Sequence, residues 1–380
     1  MRILLVTEFY SSLTRPIFSG GVETRTFFVA KYLAQRHQVI VIARKRKGEK
    51  RIETRGNLKI YRLGSDVNNL AATVLSLFKR SFFIYQSINK GTSISCDLVE
   101  GSNYVTFLPA FLIGLIKGIP KVAWYPDVLI GEWHKYFSPV LMLFGEIAER
   151  FFLRLPWDYF LAISKKTAQK LVENGVNNKK ITVIPCGVSK EWFNNKFSKF
   201  KEPTLCVISR LLTYKRIEDV IKALANLKKE FPKLRLIIIG EGPQERVLQR
   251  LIEQFGLKSR VKFYRQVPEE KLIRLLSKSH LFIHPSIIEG FGIVLVEAAA
   301  AGTPFVAAKI PTSEILAKKL KSGIVIDPGD IRSLDLAINK YLTNKKSYKE
   351  KQLNGLKFAR DFTWDKLVEQ TAKVYEKITR

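Results

Sequence analysis

The chain has 380 residues, of which 46% are hydrophobic and 26% are charged, and it carries a formal net charge of +30. Such a hydrophobic content excludes an intrinsically disordered protein, and the length is typical of two domains rather than one. The cysteines Cys96, Cys186 and Cys206 are too few and too widely spaced for a disulfide framework or a zinc site. We therefore expect a protein of the reducing cytoplasm.

Apolar, β-rich runs recur along the whole chain and alternate with helical patterns. A first series of predicted strands comprises residues 3–6, 39–42, 58–61, 98–99, 121–124, 159–163 and 181–184. A second series comprises residues 204–208, 234–239, 261–263, 280–284, 305–307 and 323–326. This alternation predicts two doubly wound α/β domains, each with a parallel sheet between helices.

The two series set the expected domain boundaries. The N-terminal domain is predicted over residues 1–190, and a polar stretch over 191–203 reads as a linker. The C-terminal domain is predicted over 204–360, and a last helix over 361–380. Residues 1–7 form a strand pattern rather than a signal peptide, and the longest apolar run, 105–116, is shorter than the roughly 20 residues that span a membrane.

The segment 281–304 is the most informative for function. A strand pattern leads into glycines, and residues 293–301 predict a short apolar helix that ends at Gly302, just before Pro304. The free N–H groups and the positive dipole end of such a helix face the preceding loop. The pattern therefore favours a diphosphate site at the start of the helix.

Two carboxylates flank this predicted site. Glu289 precedes the helix, where a Glu is either a ligand residue or a solvated residue that complements the helix dipole. Glu297 interrupts an otherwise apolar helix, and an ionised group in such surroundings needs a partner. The hydroxyl groups of a ribose would serve as that partner.

Seven residues separate Glu289 from Glu297, and Gly-Phe-Gly directly follows Glu289. This motif resembles that of the retaining GT-B glycosyltransferases of family 4. Further segments resemble motifs of this family in the same order: Gly20-Gly21-Val22-Glu23, Ala162-Ile163-Ser164, Ile184-Pro185-Cys186-Gly187-Val188, Ser209-Arg210-Leu211 with Lys215, and Gly240-Glu241-Gly242-Pro243. The resemblance implies two Rossmann-like domains that face each other across a deep cleft. It also implies that the C-terminal helix returns to the N-terminal domain.

The resemblance assigns roles to individual residues. It implies that Glu289 binds hydroxyls of the transferred sugar, that the backbone around Phe291 and Gly292 holds sugar and phosphate, and that Glu297 binds the ribose. The full donor-binding set that it implies is Gly20, Gly21, Ser209, Arg210, Lys215, Gly240, Glu241, Gly290, Phe291, Gly292, Ile293 and Glu297.

Breaking the anomeric bond of a nucleotide sugar adds negative charge to the departing diphosphate, and fixed cations there lower the barrier. Arg210 and Lys215 fit that role, although a basic loop on a basic protein is the plainer interpretation of either alone. No Asp-x-Asp pair with apolar neighbours is present to hold Mg²⁺. We infer that these cations replace a metal, and we expect retention of configuration by front-face displacement.

The loop over residues 125–134 departs from the family pattern, which often places a His there. Asp127 is the nearest polar group and His134 follows a turn or two later, so either is a candidate for the acceptor site. The predicted catalytic set is therefore Glu289, Arg210, Lys215 and Asp127.

In the N-terminal half, basic residues mix with large apolar ones, notably over residues 75–85, 107–117 and 136–154. This pattern suits attraction to an anionic membrane surface, or equally a buried core helix with snorkelling ends.

The expected function is transfer of a hexose from a nucleoside diphosphate sugar to a glycan or lipid-linked acceptor, in the cytoplasm or on the inner face of the membrane, without a cofactor or metal. Alternatives are a sugar-nucleotide epimerase or a phosphorylase on the same architecture. A nucleic-acid-binding protein is a further alternative, but the positive charge is not collected into one stripe, so no nucleic-acid partner is expected.

Overall fold

The computed structural model describes residues 1–14, 16–18, 20–67, 74–135, 139–194 and 197–379. The chain forms two compact units. The first contains residues 1–186 and 364–380, and the second contains residues 187–363.

The first unit is built on an eight-stranded sheet with the order β3-β4-β2-β1-β5-β6-β7-β8. The strands are β1 (Arg2–Val6), β2 (Gln38–Arg46), β3 (Ile52–Arg55), β4 (Leu58–Val67), β5 (Leu98–Gly101), β6 (Lys121–Tyr125), β7 (Tyr159–Ala162) and β8 (Ile181–Val183). All pairs are parallel except β3 with β4 at the edge, which is antiparallel. Central strands with buried Val, Ile and Leu on both faces are typical of a parallel sheet covered by helices.

The connecting helices of this unit are α1 (Gly21–Leu33), α2 (Val74–Ser93), α3 (Tyr104–Lys117), α4 (Pro139–Arg154) and α5 (Lys165–Glu173). Asn103 caps α3 by accepting from the Thr106 N–H, and Gly118 in the left-handed region ends it. Residues of α2, α3 and α4 share one core with the sheet, including Phe83, Phe107 and Leu153. These three helices therefore cover one face of the first sheet.

The second unit is built on a six-stranded, all-parallel sheet with the order β11-β10-β9-β12-β13-β14. The strands are β9 (Thr204–Ile208), β10 (Arg235–Ile239), β11 (Val261–Tyr264), β12 (Leu281–His284), β13 (Phe305–Ala308) and β14 (Gly323–Ile326). The helices are α6 (Ile217–Asn226), α7 (Glu245–Gln254), α8 (Glu269–Lys278), α9 (Ile293–Ala300), α10 (Pro311–Leu320), α11 (Ile331–Thr343) and α12 (Lys345–Phe358). Leu205 and Val207 join one apolar core and Cys206 joins another, so this sheet is buried on both faces.

The last helix, α13 (Trp364–Thr379), belongs to the first unit and packs on α1. The ring of Trp364 stacks on Phe28 with centroids 5.4 Å apart. Near the other end, the Tyr375 hydroxyl donates to Glu100, which also forms a buried ion pair with Arg25. The expected return of the C-terminal helix to the N-terminal domain is confirmed.

The predicted linker differs from the structure. The units divide at Gly187, and Trp192 is buried in a core of the second unit, with its indole N–H 3.1 Å from a Glu269 carboxylate oxygen. The described part of residues 191–203 thus belongs to the second unit, because an aromatic side chain anchors the polar stretch. Residues 195–196 lie outside the described residues. No helix in the described part of the chain is long and apolar enough to cross a membrane.

Candidate active site

The second sheet reverses its strand order between β9 and β12. The chain runs outward from β9 to β10 and β11, and then returns to place β12 on the other side of β9. In open parallel sheets, ligands bind beyond the carboxyl ends of the strands at such a switch point. The loops that leave β9 and β12, over residues 209–216 and 285–292, both begin at this edge.

These two loops bring Lys215 and Glu289 into an ion pair between Nζ and Oε1. The side chains are only 11% and 16% exposed. His284, at the end of β12, is buried and places Nε2 2.9 Å from the same carboxylate oxygen. The Ile287 N–H donates to the Tyr214 carbonyl over 3.1 Å, which ties the loops together. The structure therefore holds one carboxylate between an ammonium and an imidazole.

The surroundings of Glu289 keep its carboxyl ionised. Burial alone raises the pKa of this group, but Lys215 and His284 outweigh burial and hold the pKa well below its ordinary value. At neutral pH Glu289 is thus an anion that accepts hydrogen bonds and donates none. An acceptor of this kind suits sugar hydroxyls, and the adjacent ammonium suits phosphate oxygens.

The start of α9 offers backbone donors beside this pair. Gly292 precedes the helix with φ of 84°, a left-handed conformation that favours glycine. Because glycine has no side chain, no side-chain hydrogen bond caps the start of α9. Phe291 packs toward the core, with its ring 6.1 Å from that of Phe362. The Leu295 N–H donates to the Gly292 carbonyl over 2.9 Å. The N–H groups of Ile293 and Val294 before it have no intrahelical partner by helix geometry, and this arrangement suits an anion. Gly302, with φ of 65°, follows the end of the helix as expected.

Glu297 lies one turn inside α9 and is partly exposed. Burial, together with the negative charge of Glu269, raises the pKa of Glu297 to about 8. Its carboxyl is therefore mostly protonated at neutral pH, which differs from the ionised group expected from the sequence. Burial is the larger cause of this rise, and the charge of Glu269 at the start of α8 adds to it. The Glu269 carboxylate accepts from the Ser189 hydroxyl and the Trp192 indole N–H.

Arg210 and Ser209 lie in the loop after β9. The Arg210 guanidinium is exposed, and its Nη2 donates to the Tyr214 hydroxyl over 3.0 Å. The Ser209 hydroxyl donates to the Arg210 carbonyl over 3.0 Å. A planar, exposed guanidinium beside the switch point can bind a phosphate through two hydrogen bonds.

Gly240 and Gly242 have a packing role that the sequence does not reveal. A Cβ at Gly240 would overlap the backbone of Ser209, and a Cβ at Gly242 would overlap the backbone of Leu211. These glycines let the loops after β9 and β10 cross closely. Glu241 between them is exposed and accepts from Gln266 over 2.6 Å.

Gly20 and Gly21 behave differently. A Cβ at either position would meet no atom of the described residues within 4 Å. Gly20 is extended, with φ of 170°, so its backbone does not demand glycine, and α1 begins at Gly21 without a side-chain cap. Packing within the described chain therefore does not explain why these positions are glycine, whereas room for a ligand would.

Asp127 and His134 belong to the loop after β6 in the first unit. The Asp127 carboxylate lies 3.3 Å from the Lys170 ammonium and accepts from the Val128 N–H over 2.9 Å. Burial raises the pKa of Asp127, and the ion pair with Lys170 opposes that rise. His134 is exposed. Asp127 is therefore already partnered, which favours binding of a hydroxyl over action as a free base.

Glu149 on α4 shapes the same loop and was not singled out from the sequence. Its fully buried carboxyl accepts from the Leu129 N–H and from the Trp133 indole N–H over 3.1 Å and 2.8 Å. Burial raises the pKa of Glu149 to about 7, even though these donors and Tyr104 favour the ionised form. Glu149 thus positions the loop that carries Asp127.

Across the described residues, the structure contains no group of three or more His, Cys, Asp or Glu side chains placed to hold a metal ion.

Two family models together match most of the chain. The model described as Glycosyltransferase Family 4 matches residues 19–192, and the model described as Glycosyl transferases group 1 matches residues 188–358. The two matches meet near Gly187, where the two units divide. The chain belongs to the group 1 glycosyl transferases. It is therefore a transferase that takes a sugar from a nucleotide sugar.

This glycosyltransferase resembles proteins of known identity over nearly its full length. The gpi3 subunit of phosphatidylinositol N-acetylglucosaminyltransferase from Schizosaccharomyces pombe is 28% identical over 377 residues, covering 94% of this chain and 78% of the relative. The structure of sucrose-phosphate synthase from Thermosynechococcus elongatus matches with a TM-score of 0.82 at 19% identity, covering 99% of this chain and 98% of the other. Anabaena HepE in complex with UDP-glucose matches with a TM-score of 0.76 at 19% identity, covering 99% and 100%. At such identities these structures establish the fold, and the predicted GT-B fold is confirmed.

The predicted site residues of this glycosyltransferase lie in both units. The second unit gathers Arg210, Lys215, Glu289, Glu297 and the start of α9 around the switch point. Gly20, Gly21, Asp127 and His134 all lie in the first unit.

Three further groups of the second unit were missed as site residues. His284, Tyr214 and Glu269 contact or perturb predicted site residues. Only His284 carried a sequence signal, because it ends a predicted strand at the edge where ligands bind.

Proposed function

We propose that the protein is a retaining, metal-independent hexosyltransferase that moves a hexose from a nucleoside diphosphate sugar to a glycan or lipid-linked acceptor. The observation that carries this proposal is the Glu289 carboxylate held between Lys215 and His284 beside the uncapped start of α9. This group combines an acceptor for sugar hydroxyls with donors for a diphosphate.

The cations supply the charge that the departing diphosphate requires. Lys215 lies beside Glu289, and Arg210 extends from the same loop. As the anomeric bond breaks, negative charge grows on the diphosphate, and its attraction to these cations and to the α9 N–H groups increases. Fixed cations of this kind replace a divalent metal in the proposed mechanism.

Retention follows from a front-face displacement. The anomeric carbon loses its bond to the phosphate oxygen and gains a bond to the acceptor oxygen on the same face. The acceptor proton passes to the departing phosphate, so no protein nucleophile is required. Glu289 binds hydroxyls of the transferred sugar and thereby orients the anomeric carbon.

Glu297 binds the ribose in this proposal. Ribose hydroxyls would donate to its carboxylate, which favours the ionised form, so the pKa of about 8 falls on binding. The first turn of α9 would hold the phosphates near Gly290, Phe291, Gly292 and Ile293. In the proposed donor set, Gly240 serves chiefly to let the loops pack.

The named relatives support the classes of donor and acceptor. Anabaena HepE has been seen with UDP-glucose, a nucleoside diphosphate hexose. The Schizosaccharomyces relative is named for transfer to phosphatidylinositol, a lipid. Asp127 is the proposed acceptor-binding residue and His134 the second candidate.

We infer a cytoplasmic location, peripheral on the inner face of the membrane where the acceptor is lipid-linked. Cys96, Cys186 and Cys206 are buried and form no disulfide, which is typical of a reducing compartment.

The proposal is tested by following donor hydrolysis by NMR, with α-linked UDP-, GDP-, ADP- and dTDP-hexoses in EDTA. We expect one donor to release its sugar first as the α-anomer, with the nucleoside diphosphate as the other product. Release of the β-anomer would refute retention, and activity that EDTA abolishes would refute metal independence. A new nucleotide sugar would indicate an epimerase, and a sugar phosphate formed with added phosphate would indicate a phosphorylase.

A further inference from the structure

Large apolar side chains are exposed on the three helices that cover one face of the first sheet. On α4, Leu143, Phe144, Ile147 and Phe151 lie along one face, and Phe144 is 68% exposed. The opposite side of α4 buries Leu153 in the core. A helix with a buried inner face normally presents a polar outer face, so this apolar outer face requires an explanation.

The neighbouring helices continue the same surface. On α2, Phe78, Phe82 and Tyr85 follow helical spacing, and Phe78 is 72% exposed. On α3, Leu115 and Ile116 are exposed near the C-terminal end. Helix α3 packs against both α2 and α4. We call these outer faces of α2, α3 and α4 the three-helix surface.

The apolar residues concentrate on this surface. Of the 17 exposed large hydrophobic side chains in the described chain, nine lie on these three helices. The inner faces of these helices form core, as the buried-helix alternative expects, and the outer faces remain exposed. Attraction of the basic, apolar segments to an anionic membrane stays a prediction. Tyr136, at the start of the third segment, lies outside the described residues.

The charge of the three helices is strongly positive. Residues 74–93, 104–117 and 139–154 contain six basic residues and two acidic ones, an excess of four positive charges. Of the two acids, Glu149 is fully buried and Glu146 is paired with Arg150. Arg80 on α2 is paired with Glu8, which lies outside these helices. The excess of positive charge therefore comes from Lys79, Lys90, Lys117 and Arg154. The outer surface is thus apolar and cationic.

We propose that the three-helix surface docks on an anionic lipid bilayer. Phenylalanine, isoleucine and leucine side chains would enter the boundary between headgroups and acyl chains, while the basic side chains remain among anionic headgroups. A second copy of the chain fits less well, since a symmetric contact would bring two cationic faces together. The inference rests on the peripheral location given under the proposed function and deepens it by naming the surface that docks. Docking is measured by binding alone, so its failure is distinguishable from a failure of sugar transfer.

The test is flotation of the full chain with vesicles of phosphatidylcholine, or of equal parts phosphatidylcholine and phosphatidylglycerol. We expect flotation with the anionic vesicles at low salt, much less at high salt, and little with the neutral vesicles. The triple variant Phe144→Ser, Ile147→Ser, Phe151→Ser should bind anionic vesicles at least about tenfold more weakly, because it loses most of the inserted apolar area.

A matched control is available in the second unit. Val247, Leu336 and Leu353 are 53%, 64% and 53% exposed. Their triple serine variant should float like the wild type. Both triple variants should hydrolyse a soluble donor at the wild-type rate, which shows that the fold and the donor site are intact.

Three results would overturn the proposal. One is failure of the wild type to float with anionic vesicles at low salt, and another is equal loss of binding in the control variant. The third is a concentration-dependent dimer without lipid that the α4 variant abolishes, since the surface would then serve self-association. A wild type that hydrolyses none of the donors would contradict the proposed function but not docking.

Discussion

Replacing Lys215 with Met removes the ammonium beside Glu289 while nearly keeping the side-chain volume. Two unit charges about 4 Å apart interact by about 4 kcal/mol at an effective dielectric constant near 20, and breaking a buried pair costs about 3–5 kcal/mol. Both side chains keep some exposure, 11% and 16%, and His284 still faces the carboxylate. We therefore expect a loss of about 2 kcal/mol in the free energy of unfolding at neutral pH.

The loss should depend on pH with a definite sign. In the wild type the pKa of Glu289 is lower in the folded than in the unfolded state, so its contribution to stability is fully present above the unfolded pKa of about 4.3. In Lys215→Met, burial is no longer offset by the ammonium and raises the folded pKa of Glu289. The variant then loses stability as the pH rises above about 4.3, so the difference between the proteins is larger at neutral pH than at about pH 5.

Urea unfolding of the wild type, Lys215→Met, Glu289→Gln and the double variant measures this coupling. The double variant should recover most of the stability that Lys215→Met loses, because it leaves no unpaired charge. Its transferase activity should nevertheless stay at least about a hundredfold below the wild type. Additive stability effects, or a loss that does not change with pH, would show that the charges of Lys215 and Glu289 are not coupled.

Gly20→Ala should change the free energy of unfolding by less than about 0.5 kcal/mol, because the added Cβ meets open space. The same variant should lower the rate of sugar transfer at least about tenfold. Transfer at the wild-type rate would show that Gly20 is not part of the site. Gly240→Ala should instead lower the melting temperature by several degrees, because its Cβ overlaps Ser209. Binding of the correct nucleotide at pH 7 should release a proton from Glu297, which calorimetry in two buffers of different ionisation enthalpy detects. The Glu297→Gln variant should release no proton. Release from that variant would contradict the role of Glu297 in binding the ribose. Asp127→Asn should raise KM for the acceptor while donor hydrolysis stays near the wild-type rate, and an unchanged acceptor KM would exclude Asp127 from the acceptor site.

Most of the fold could be predicted because its strands are short apolar runs buried on both faces. The strand β3 was missed, since Ile52–Arg55 is polar and lies at the sheet edge, where burial imposes no apolar pattern. The units divide at Gly187, before the linker predicted over residues 191–203. The polar sequence of this stretch is typical of a linker, but Trp192 anchors it in a core of the second unit.

The candidate site could be predicted as a set of residues but not as a set of contacts. The sequence predicts both Lys215 and Glu289 as site residues. Their pairing, however, depends on the parallel neighbours β9 and β12, which no local pattern specifies. The ion pair of Asp127 with Lys170 and the effect of Glu269 on Glu297 arise in the same way, from tertiary contacts. Burial and these contacts together set the pKa values of the carboxyl groups.

In the proposed function, the switch point of the second sheet binds a nucleoside diphosphate through Arg210 without a metal. Isothermal titration of UDP, GDP, ADP and dTDP in EDTA, with the wild type and Arg210→Ala, measures this binding. We predict that one of these nucleotides binds the wild type. The variant should bind it at least about tenfold more weakly, because a charge-assisted hydrogen bond is lost. If none of the four binds, or if the two proteins bind with equal affinity, Arg210 does not hold a nucleoside diphosphate at this switch point.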